Sequence, residues 1–451
     1  MSLKSNYFTK TYYQFYLLNL FNLSLRFNGF PIGKAERVLR EIQEKSESDF
    51  ETYIDQKRKA IVSYHLKHTP FYKSLTKNAN LLDWNTIPVM TKRDLQQPLK
   101  HRLSENYSVK NVYVNKTSGS SGDPFVFAKD TFCHALAWAI FKEWYGWYSI
   151  FNKKQARFYG MPLDKKGYYK ERFKDWIANR YRFHVFDLSD NAFNDWLTKF
   201  KNTRFVFITG YTSVIVAFAK YLLKNNIVLF EICPTLKACL PTSEMLLDED
   251  KKLLSKAFNI PIVNEYGSAE FGLIALERDQ HWVLNNLNLF VEVLDDAGKV
   301  LSNGEEGRIV ITDLYNKAHP FIRYEIGDMG SISTINKKTS MLKTLTGRKE
   351  DYVKLPSGKT APGLSFYYVT KSVMKDDGFI QEIKVLQHTL NKLEIEYVAK
   401  VELTEAQKTK ILVALEKYLE PGIDVLFSKK SHLQRTKTGK LKQFTSLLKS
   451  N

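Results

Sequence analysis

An alternation of strand and helix signals in the centre of the chain restricts the fold more than any other feature. Residues 204–210 (RFVFITG) are rich in β-branched and aromatic residues and end in glycine, which is typical of a strand. Residues 214–226 then show helical periodicity, and 236–243, 245–258 and 260–267 indicate a strand, a helix and a further strand. Strands separated by helices pair in parallel, so the sequence predicts an α/β domain built on a parallel sheet.

The second half of the chain has a different pattern. Residues 289–335 contain short strand-like segments joined by turns, which predicts an antiparallel subdomain. Beyond this region, a hairpin-like segment, a helix and a strand predict a compact α+β unit. We therefore predict a large N-terminal domain over residues 1–348 and a small, mobile C-terminal domain over residues 349–451, with the hinge at 349–351.

The charge of the chain indicates which partners it attracts. Its 451 residues carry a net charge of +19, and the pI is near 9.4. A basic surface attracts polyanions such as nucleotides, coenzyme A, anionic lipid or nucleic acid. The basic residues are scattered, and no RNP, KH or zinc-finger pattern is present. The scattered charge therefore favours a generally cationic, soluble surface over dedicated nucleic-acid binding, and we expect no nucleic-acid partner.

Two further features bear on location. The three cysteines, Cys133, Cys233 and Cys239, form no C-x-x-C pair and fit a reducing cytosol, so we expect a cytoplasmic protein. Residues 12–30 are apolar and aromatic, but polar residues interrupt them too often for a membrane span, and no signal-peptide cleavage site follows. They predict either a helix packed on the large domain or an amphipathic helix at a membrane surface.

A loop of small residues, TSGSSGDPF at 117–125, is a candidate phosphate-binding loop. Serine, threonine and glycine let hydroxyls and backbone N–H groups converge on an anion. The helical pattern at 131–150 follows it and would direct a positive dipole end toward that anion. The lysine of a P-loop is absent, and a surface loop without a ligand would have a similar composition.

Four further motifs occur in a fixed order along the chain. They are NEYGSAEFG at 264–272, FIRYEIGD at 321–328, TGRKEDYVK at 346–354 and RTKTGK at 435–440. Together with the phosphate loop, this set resembles the core motifs of the adenylate-forming enzymes. HTPFYKS at 68–74 and IPVMTKRDL at 87–95 resemble the phenylacetate–coenzyme A ligase branch, which includes the CapK-like proteins.

The resemblance implies a set of nucleotide-binding residues. They are Thr117, Ser118, Gly119, Ser120, Ser121, Gly122, Thr242, Ser243, Glu244, Glu265, Tyr266, Gly267, Ser268, Asp328, Arg348 and Lys354. Within this set, Tyr266 would stack on adenine and Asp328 would bind the ribose hydroxyls, supported by Arg323 and Tyr324. The 117–122 loop would hold the β- and γ-phosphates.

The resemblance also implies three chemical roles outside simple nucleotide binding. Glu270 would bind Mg²⁺ as a hard oxygen ligand. Lys440 would be the catalytic cation that bridges the carboxylate and the α-phosphate, although the basic tail around it could simply be solvated. Lys354 lies near a family lysine that serves the thioester-forming step.

Three positions depart from the family pattern. Ala269 stands where relatives carry a hydroxyl residue that contacts the α-phosphate, Asp123 where they often carry lysine, and Gln443 where they often carry arginine. These departures predict slow ATP turnover or an altered site.

The leading hypothesis is an ATP- and Mg²⁺-dependent ligase that forms an acyl-adenylate and then an acyl–coenzyme A thioester. Two alternatives remain: a CapK-like enzyme of surface polysaccharide synthesis with another acceptor, and a catalytically weak nucleotide-binding relative. A nucleic-acid-binding module is a weaker third. The acyl pocket is expected around residues 135–150, 204–215 and 236–245, where aromatic and aliphatic residues are frequent.

Overall fold

The computed structural model describes seven stretches of the chain. They are residues 20–77, 83–117, 125–160, 165–348, 352–362, 380–436 and 441–448. No helix within these stretches is long and apolar enough to span a membrane.

Five helices come first along the described chain. They are α1 (Leu20–Phe27), α2 (Ile32–Gln43), α3 (Glu47–His68), α4 (Pro70–Leu75) and α5 (Leu99–Arg102). The side chain of Ser46 accepts a hydrogen bond from the N–H of Asp49 and so caps α3. The cap, three residues after α2 ends at Gln43, therefore starts a new helix.

A hairpin surrounds the candidate phosphate loop. Its strands β1 (Tyr113–Lys116) and β2 (Val126–Lys129) pair in antiparallel fashion. Helix α6 (Thr131–Gly146) follows, and Asp130 caps it by accepting a hydrogen bond from the N–H of Cys133. The helix predicted after the loop is therefore confirmed.

Helix α1 packs on the large domain. The ring of Phe21 meets that of Trp138 on α6 edge to face, with 4.6 Å between the ring centroids. Phe27, at the other end of α1, is 86% exposed. The described part of the N-terminal segment therefore has one face against the protein and one apolar end in solvent.

The central sheet is parallel, as the alternation predicted. Its strands are β3 (Gln155–Phe158), β4 (Arg180–Phe183), β5 (Phe207–Tyr211) and β6 (Ala238–Thr242), in the order β4-β3-β5-β6. The helices between and after them are α7 (Lys165–Ile177), α8 (Asp190–Lys201), α9 (Thr212–Lys224), α10 (Leu229–Ile232) and α11 (Asp248–Phe258).

Both faces of this sheet are covered, which explains its apolar strands. On one face an aromatic core joins the sheet to α8 and α9 through Phe158, Phe183, Phe200 and Phe218. The rings of Phe158 and Phe183 stack with 4.7 Å between centroids. On the other face Phe207 and Leu240 pack in one cluster with residues of α6.

The predicted strand over 260–267 is divided between two sheets. Ile262 makes a single parallel bridge with Cys239, but Pro261 has no N–H with which to extend that ladder. From Asn264 onward the backbone pairs with the segment around Glu277 instead. The chain therefore passes at this point from the parallel sheet into the next one.

That next sheet is antiparallel, as predicted, and has seven strands. They are β7 (Glu265–Ser268), β8 (Gly272–Arg278), β9 (His281–Leu284), β10 (Leu289–Leu294), β11 (Gly307–Asp313), β12 (Tyr324–Thr334) and β13 (Ser340–Arg348). Their order is β10-β11-β12-β13-β9-β8-β7. The sheet is larger than the predicted 289–335 subdomain because β7, β8, β9 and β13 join it.

The C-terminal part of the chain has a core of its own. Its elements are β14 (Tyr352–Lys354), β15 (Thr360–Pro362), β16 (Ile380–Thr389), β17 (Lys392–Ala399), α12 (Glu405–Tyr418), β18 (Asp424–Lys430) and β19 (Phe444–Ser446). Val385, Ile395 and Ile411 belong to the buried cluster between its four-stranded sheet and α12. The predicted hinge, 349–351, lies outside the described residues.

Candidate active site

A deep cleft lies where the two sheets of the large domain meet the C-terminal part. Its volume is about 2100 Å³. Its walls come from the ends of β5 and β6, from β7 and β12, from α6, and from residues 431–436 and 441–444. In open α/β sheets ligands bind beyond the carboxyl ends of the strands, and the cleft occupies that position.

The cleft brings together residues that are far apart in the sequence. The predicted site residues that line it are Thr117, Thr242, Ser243, Glu244, Glu265, Tyr266, Gly267, Ser268, Glu270 and Asp328. They come from three of the motifs, at 117–125, 264–272 and 321–328, and from the end of β6, so the fold places these segments in one cavity.

The remaining predicted residues divide into two groups. Ser118, Gly119, Ser120, Ser121, Gly122 and Lys440 lie outside the described residues. Arg348 ends β13 opposite Asp328, and Lys354 is exposed on β14 and is not among the described residues that line the cleft. Lys440 is joined directly to Leu441, which lines the cleft.

Two hydrogen bonds join the ends of the candidate phosphate loop where it connects β1 to β2. The N–H of Thr117 donates to the carbonyl of Phe125 at 2.9 Å, and the N–H of Phe125 donates to the Thr117 hydroxyl at 3.0 Å. These two bonds close the base of the loop beside the cleft.

Asp328 is positioned by Tyr266. The Tyr266 hydroxyl donates a hydrogen bond to Asp328 Oδ2 at 2.6 Å, and both residues are buried. This contact joins β7 to β12 and directs a carboxylate toward the cleft. A charge-assisted bond of this length is among the stronger hydrogen bonds in proteins.

The expectation that Arg323 supports Asp328 is wrong. Arg323 is fully buried, and its Nη1 donates to the carbonyls of Ile87 at 2.8 Å and Asn85 at 3.0 Å. Its Nε lies 3.5 Å from Glu292 Oε2. The guanidinium therefore ties the N-terminal IPVM segment to the antiparallel sheet, because a buried charge needs a carboxylate and several acceptors.

Glu244 connects the large domain to the C-terminal part. One carboxylate oxygen accepts the N–H of Ser213, near the start of α9, at 2.7 Å, and the other accepts the N–H of Leu441 at 3.2 Å. Arg435 reinforces this contact: its Nη1 donates to the Ser213 hydroxyl at 3.3 Å, and it forms an ion pair with Glu382. These contacts hold the segment that follows Lys440 at the cleft.

One end of the cleft carries a polar cluster that the sequence did not reveal. The Tyr145 hydroxyl donates to Glu265 Oε2 at 2.6 Å, and the Arg157 guanidinium lies 4.2 Å from the centroid of the Tyr159 ring. Arg157 Nε is buried with no hydrogen-bond partner among the described residues. In the sequence, the only sign that Arg157 and Tyr159 belong to a site is that polar residues alternate with apolar ones along β3 and just after it.

Burial shifts pKa values in this cluster. It raises the pKa of Glu265 above its usual range, while hydrogen bonds from Tyr145 and Thr242 and the charge of Arg157 act in the opposite direction. Burial and the neighbouring Glu265 raise the pKa of Tyr145 well above its usual value, so this phenol stays a donor. The cluster can therefore offer both donors and acceptors to a ligand.

The metal expectation rests on Glu270, which is buried and lines the cleft. The described residues contain no group of three or more His, Cys, Asp or Glu side chains that could hold a metal ion. Mg²⁺ often uses only one or two carboxylates plus the phosphates of a nucleotide. Glu270 therefore suits a metal that arrives with its nucleotide rather than one held by the protein alone.

Comparisons with known proteins agree on the fold. No family model matches the sequence. The chain is 25% identical over 318 residues to Protein CapK of Staphylococcus aureus, an alignment that covers 66% of this chain and 68% of that protein.

The fold is similar to that of 2-hydroxyisobutyryl-CoA ligase, solved in the postadenylation state in complex with R3-HIB-AMP. The TM-score is 0.68 at 15% sequence identity, and the match covers 88% of this chain and 90% of that chain. The same ligase in the thioesterification state, with 2-HIB-AMP and CoA, has a TM-score of 0.56 at 16% identity, covering 89% and 90%. The anthranilate CoA ligase AuaEII with anthranoyl-AMP has a TM-score of 0.53 at 14% identity, covering 75% and 66%.

The chain therefore has the fold of the adenylate-forming coenzyme A ligases, with a large α/β domain and a small C-terminal one, as its motifs predicted. The match to CapK confirms the predicted similarity to the CapK-like branch.

The Glu244 contact generates a prediction about the C-terminal segment. In Glu244→Ala the N–H groups of Ser213 and Leu441 lose their acceptor, so we expect residues 441–448 to exchange amide hydrogens about tenfold faster, as the loss of roughly one hydrogen bond implies. Hydrogen–deuterium exchange with mass spectrometry measures this. Glu231→Ala, which removes an exposed carboxylate on α10, is the matched control. Equal exchange in Glu244→Ala and wild type would show that this contact does not hold the segment.

Proposed function

We propose that this protein activates a carboxylate with ATP, releasing pyrophosphate and forming an acyl-adenylate, and then transfers the acyl group to an acceptor, with coenzyme A as the leading choice. The observation that carries the proposal is that the buried Tyr266–Asp328 pair lines the same cleft as Glu244 and the segment that follows Lys440. Because the proposed reaction would use ATP and coenzyme A, we propose that it takes place in the cytoplasm.

Each motif has a task in this reaction. A carboxylate oxygen of the substrate attacks the α-phosphorus, the bond to the β-phosphate oxygen breaks, and pyrophosphate leaves. Asp328, held by Tyr266, would accept hydrogen bonds from the ribose hydroxyls, and the hydroxyls and N–H groups of the 117–122 loop would bind the departing phosphates. Mg²⁺ on Glu270 would neutralise phosphate charge.

Lys440 supplies positive charge where the two anions meet. A flexible ammonium can approach the carboxylate and the α-phosphate together, which lowers the repulsion that otherwise opposes attack. The Glu244–Leu441 and Arg435–Ser213 hydrogen bonds bring its neighbours in the chain to the cleft. We assign Lys354, exposed on β14, to the second half-reaction, for which the C-terminal domain would turn about residues 349–351.

Ala269 makes us expect a slow first step. It carries no hydroxyl for the α-phosphate, and the neighbouring Ser268 hydroxyl already accepts the N–H of Phe271 at 3.1 Å. That bond leaves the Ser268 O–H able to donate to another acceptor, but Ser268 lies one residue before the position where relatives carry their hydroxyl, which in this chain is Ala269. A catalytically weak nucleotide-binding protein is the alternative that this observation favours.

The polar cluster suggests what the acyl group contains. Tyr145, Arg157 and Tyr159 line the same cleft as Asp328. An unpaired buried guanidinium nitrogen is costly unless a ligand satisfies it. We therefore propose a carboxylate with a hydroxyl or anionic substituent, rather than a plain aromatic acid such as phenylacetate. An acceptor other than coenzyme A, as in the CapK-like alternative, remains compatible with this pocket.

Nucleotide binding provides the first test. Asp328→Ala removes the acceptor for the ribose hydroxyls, so we expect ATP to bind about 10- to 100-fold more weakly, the range for a lost hydrogen bond to a charged group. Glu270→Gln should weaken binding only when Mg²⁺ is present. Isothermal titration calorimetry with and without Mg²⁺ measures both effects.

Asp279→Ala, which removes an exposed carboxylate between β8 and β9, serves as the control and should bind ATP like the wild type. Unchanged affinity in both site variants would refute the assignment of Asp328 and Glu270.

Lys440 provides the second test. Lys440→Ala should slow pyrophosphate release with an accepted carboxylate by about 10²–10³-fold, as when one stabilising donor is lost from a transition state. Transfer from a chemically supplied acyl-adenylate should persist, because that step no longer joins carboxylate and phosphate. The control is Lys359→Ala, an exposed lysine of the C-terminal part. An equal fall in both half-reactions would mean that Lys440 has no specific role in adenylation.

A further inference from the structure

Helix α7 presents its aromatic residues to solvent. Tyr169, Phe173 and Trp176 are 70%, 61% and 65% exposed. They are four and three residues apart, so they form a stripe along one face of the helix. The Phe173 and Trp176 rings stack on each other with 6.0 Å between centroids. A surface helix of a globular protein ordinarily turns such a face toward the core.

The opposite, charged face of α7 is the one that contacts the protein. Asp175 is 2% exposed, and among the described side chains of α7 it is the one buried residue. Its carboxylate pairs with Arg180 at 2.5 Å and Arg182 at 3.0 Å, both on β4, and Glu171 pairs with Arg182 at 2.8 Å. Ion pairs, rather than apolar packing, therefore hold α7 with its aromatic stripe outward.

The charge beside the stripe is positive. Lys166, Lys170 and Lys174 are exposed and recur every four residues, so they follow one side of the aromatic stripe. The two acidic residues of α7, Glu171 and Asp175, are paired with arginines of β4. Aromatic residues beside lysines form the composition of helices that lie in a membrane interface, where the rings enter the headgroup region and the cations meet anionic lipids.

A second apolar surface lies beside the end of α7. Asn179, two residues beyond α7, donates to the carbonyl of Asn152, and the Asn152 side chain donates to Asn22 of α1. Helix α1 carries Phe27, which is 86% exposed, and Leu20, which is 48% exposed. Exposed apolar residues therefore occur on both of these helices.

The cleft opens next to the same helix. Ala178, the residue after α7, and Arg180 of β4 both line it. A surface that binds α7 would therefore lie close to this part of the cleft lining.

We propose that α7 docks this protein on an anionic lipid bilayer, with Tyr169, Phe173 and Trp176 in the headgroup region and the adjacent lysines on the anionic headgroups. The stripe lies on a convex helix, not in a groove, and its lysines match a negatively charged surface, as does the net charge of +19. The proposal is independent of the reaction in the cleft.

Cosedimentation of the full chain with vesicles tests it. Wild-type protein should bind vesicles of phosphatidylcholine and phosphatidylglycerol, bind phosphatidylcholine alone at least about tenfold more weakly, and dissociate as salt is raised. Phe173→Ser/Trp176→Ser should lose at least about tenfold in affinity, because the inserted apolar area is lost.

Matched variants distinguish the contribution of the α7 lysines to vesicle binding from that of the aromatic stripe. Lys166→Glu/Lys170→Glu should also lose about tenfold or more, whereas Lys77→Glu/Lys110→Glu, with the same change in net charge at exposed lysines elsewhere, should bind nearly as the wild type does. Circular dichroism should show all variants folded, since the changed side chains are exposed.

Two results would overturn the proposal. One is equal vesicle binding by wild type and the folded Phe173→Ser/Trp176→Ser variant. The other is that wild-type protein binds no vesicles and instead sediments as a dimer in sedimentation velocity, while the Phe173→Ser/Trp176→Ser variant sediments as a monomer. The stripe would then be an interface between copies of the chain.

Discussion

The site depends on the short connection between the two sheets of the large domain. The Cys239 N–H donates to the carbonyl of Pro261, and the Val263 N–H donates to the carbonyl of Cys239, so the chain runs beside β6 for only a few residues. It then enters β7 at Glu265. Because of this connection, Thr242–Glu244 at the end of β6 and Glu265–Ser268 of β7 lie in the same cleft. Every role proposed for Tyr266, Asp328 and Glu244 assumes that arrangement.

The sequence predicted the elements better than their connections. Period and composition located β5, α9, β6 and α11 within a few residues, because local patterns determine strands and helices. They did not locate the change of sheet inside 260–267, which depends on Pro261 and on pairing with Glu277.

The same limit applies to the candidate site. Tyr266, Asp328 and Glu270, which the ordered motifs named, line one cleft, and their roles there stay predictions. Arg323, in the same motif as Asp328, binds carbonyls at residues 84–87 instead. Arg157 and the outward stripe of α7 lie outside every motif. Arg157 stands out because its Nε is buried without a hydrogen-bond partner among the described residues. The stripe stands out because ion pairs with β4 turn the charged face of α7 inward. The order of residues in the sequence shows neither feature.

The contacts between the two parts of the protein differ in kind from the contacts inside each part. The C-terminal part has its own apolar core, whereas near Lys440 it meets the large domain through polar contacts at Glu244 and Ser213. Each such hydrogen bond contributes only about 1 kcal/mol. Weak contacts of this kind are what the predicted mobility of the C-terminal domain would require, and that mobility stays a prediction.

The central claim is that a carboxylate oxygen bonds to the α-phosphorus of ATP in this cleft. Isotope transfer tests this bond most directly: a carboxylate accepted by the enzyme is labelled with ¹⁸O, the reaction runs with ATP and an acceptor, and the AMP is analysed by mass spectrometry. The account predicts AMP that carries one labelled oxygen and an acyl product that keeps the other. Unlabelled AMP, or ADP in place of AMP, would contradict it.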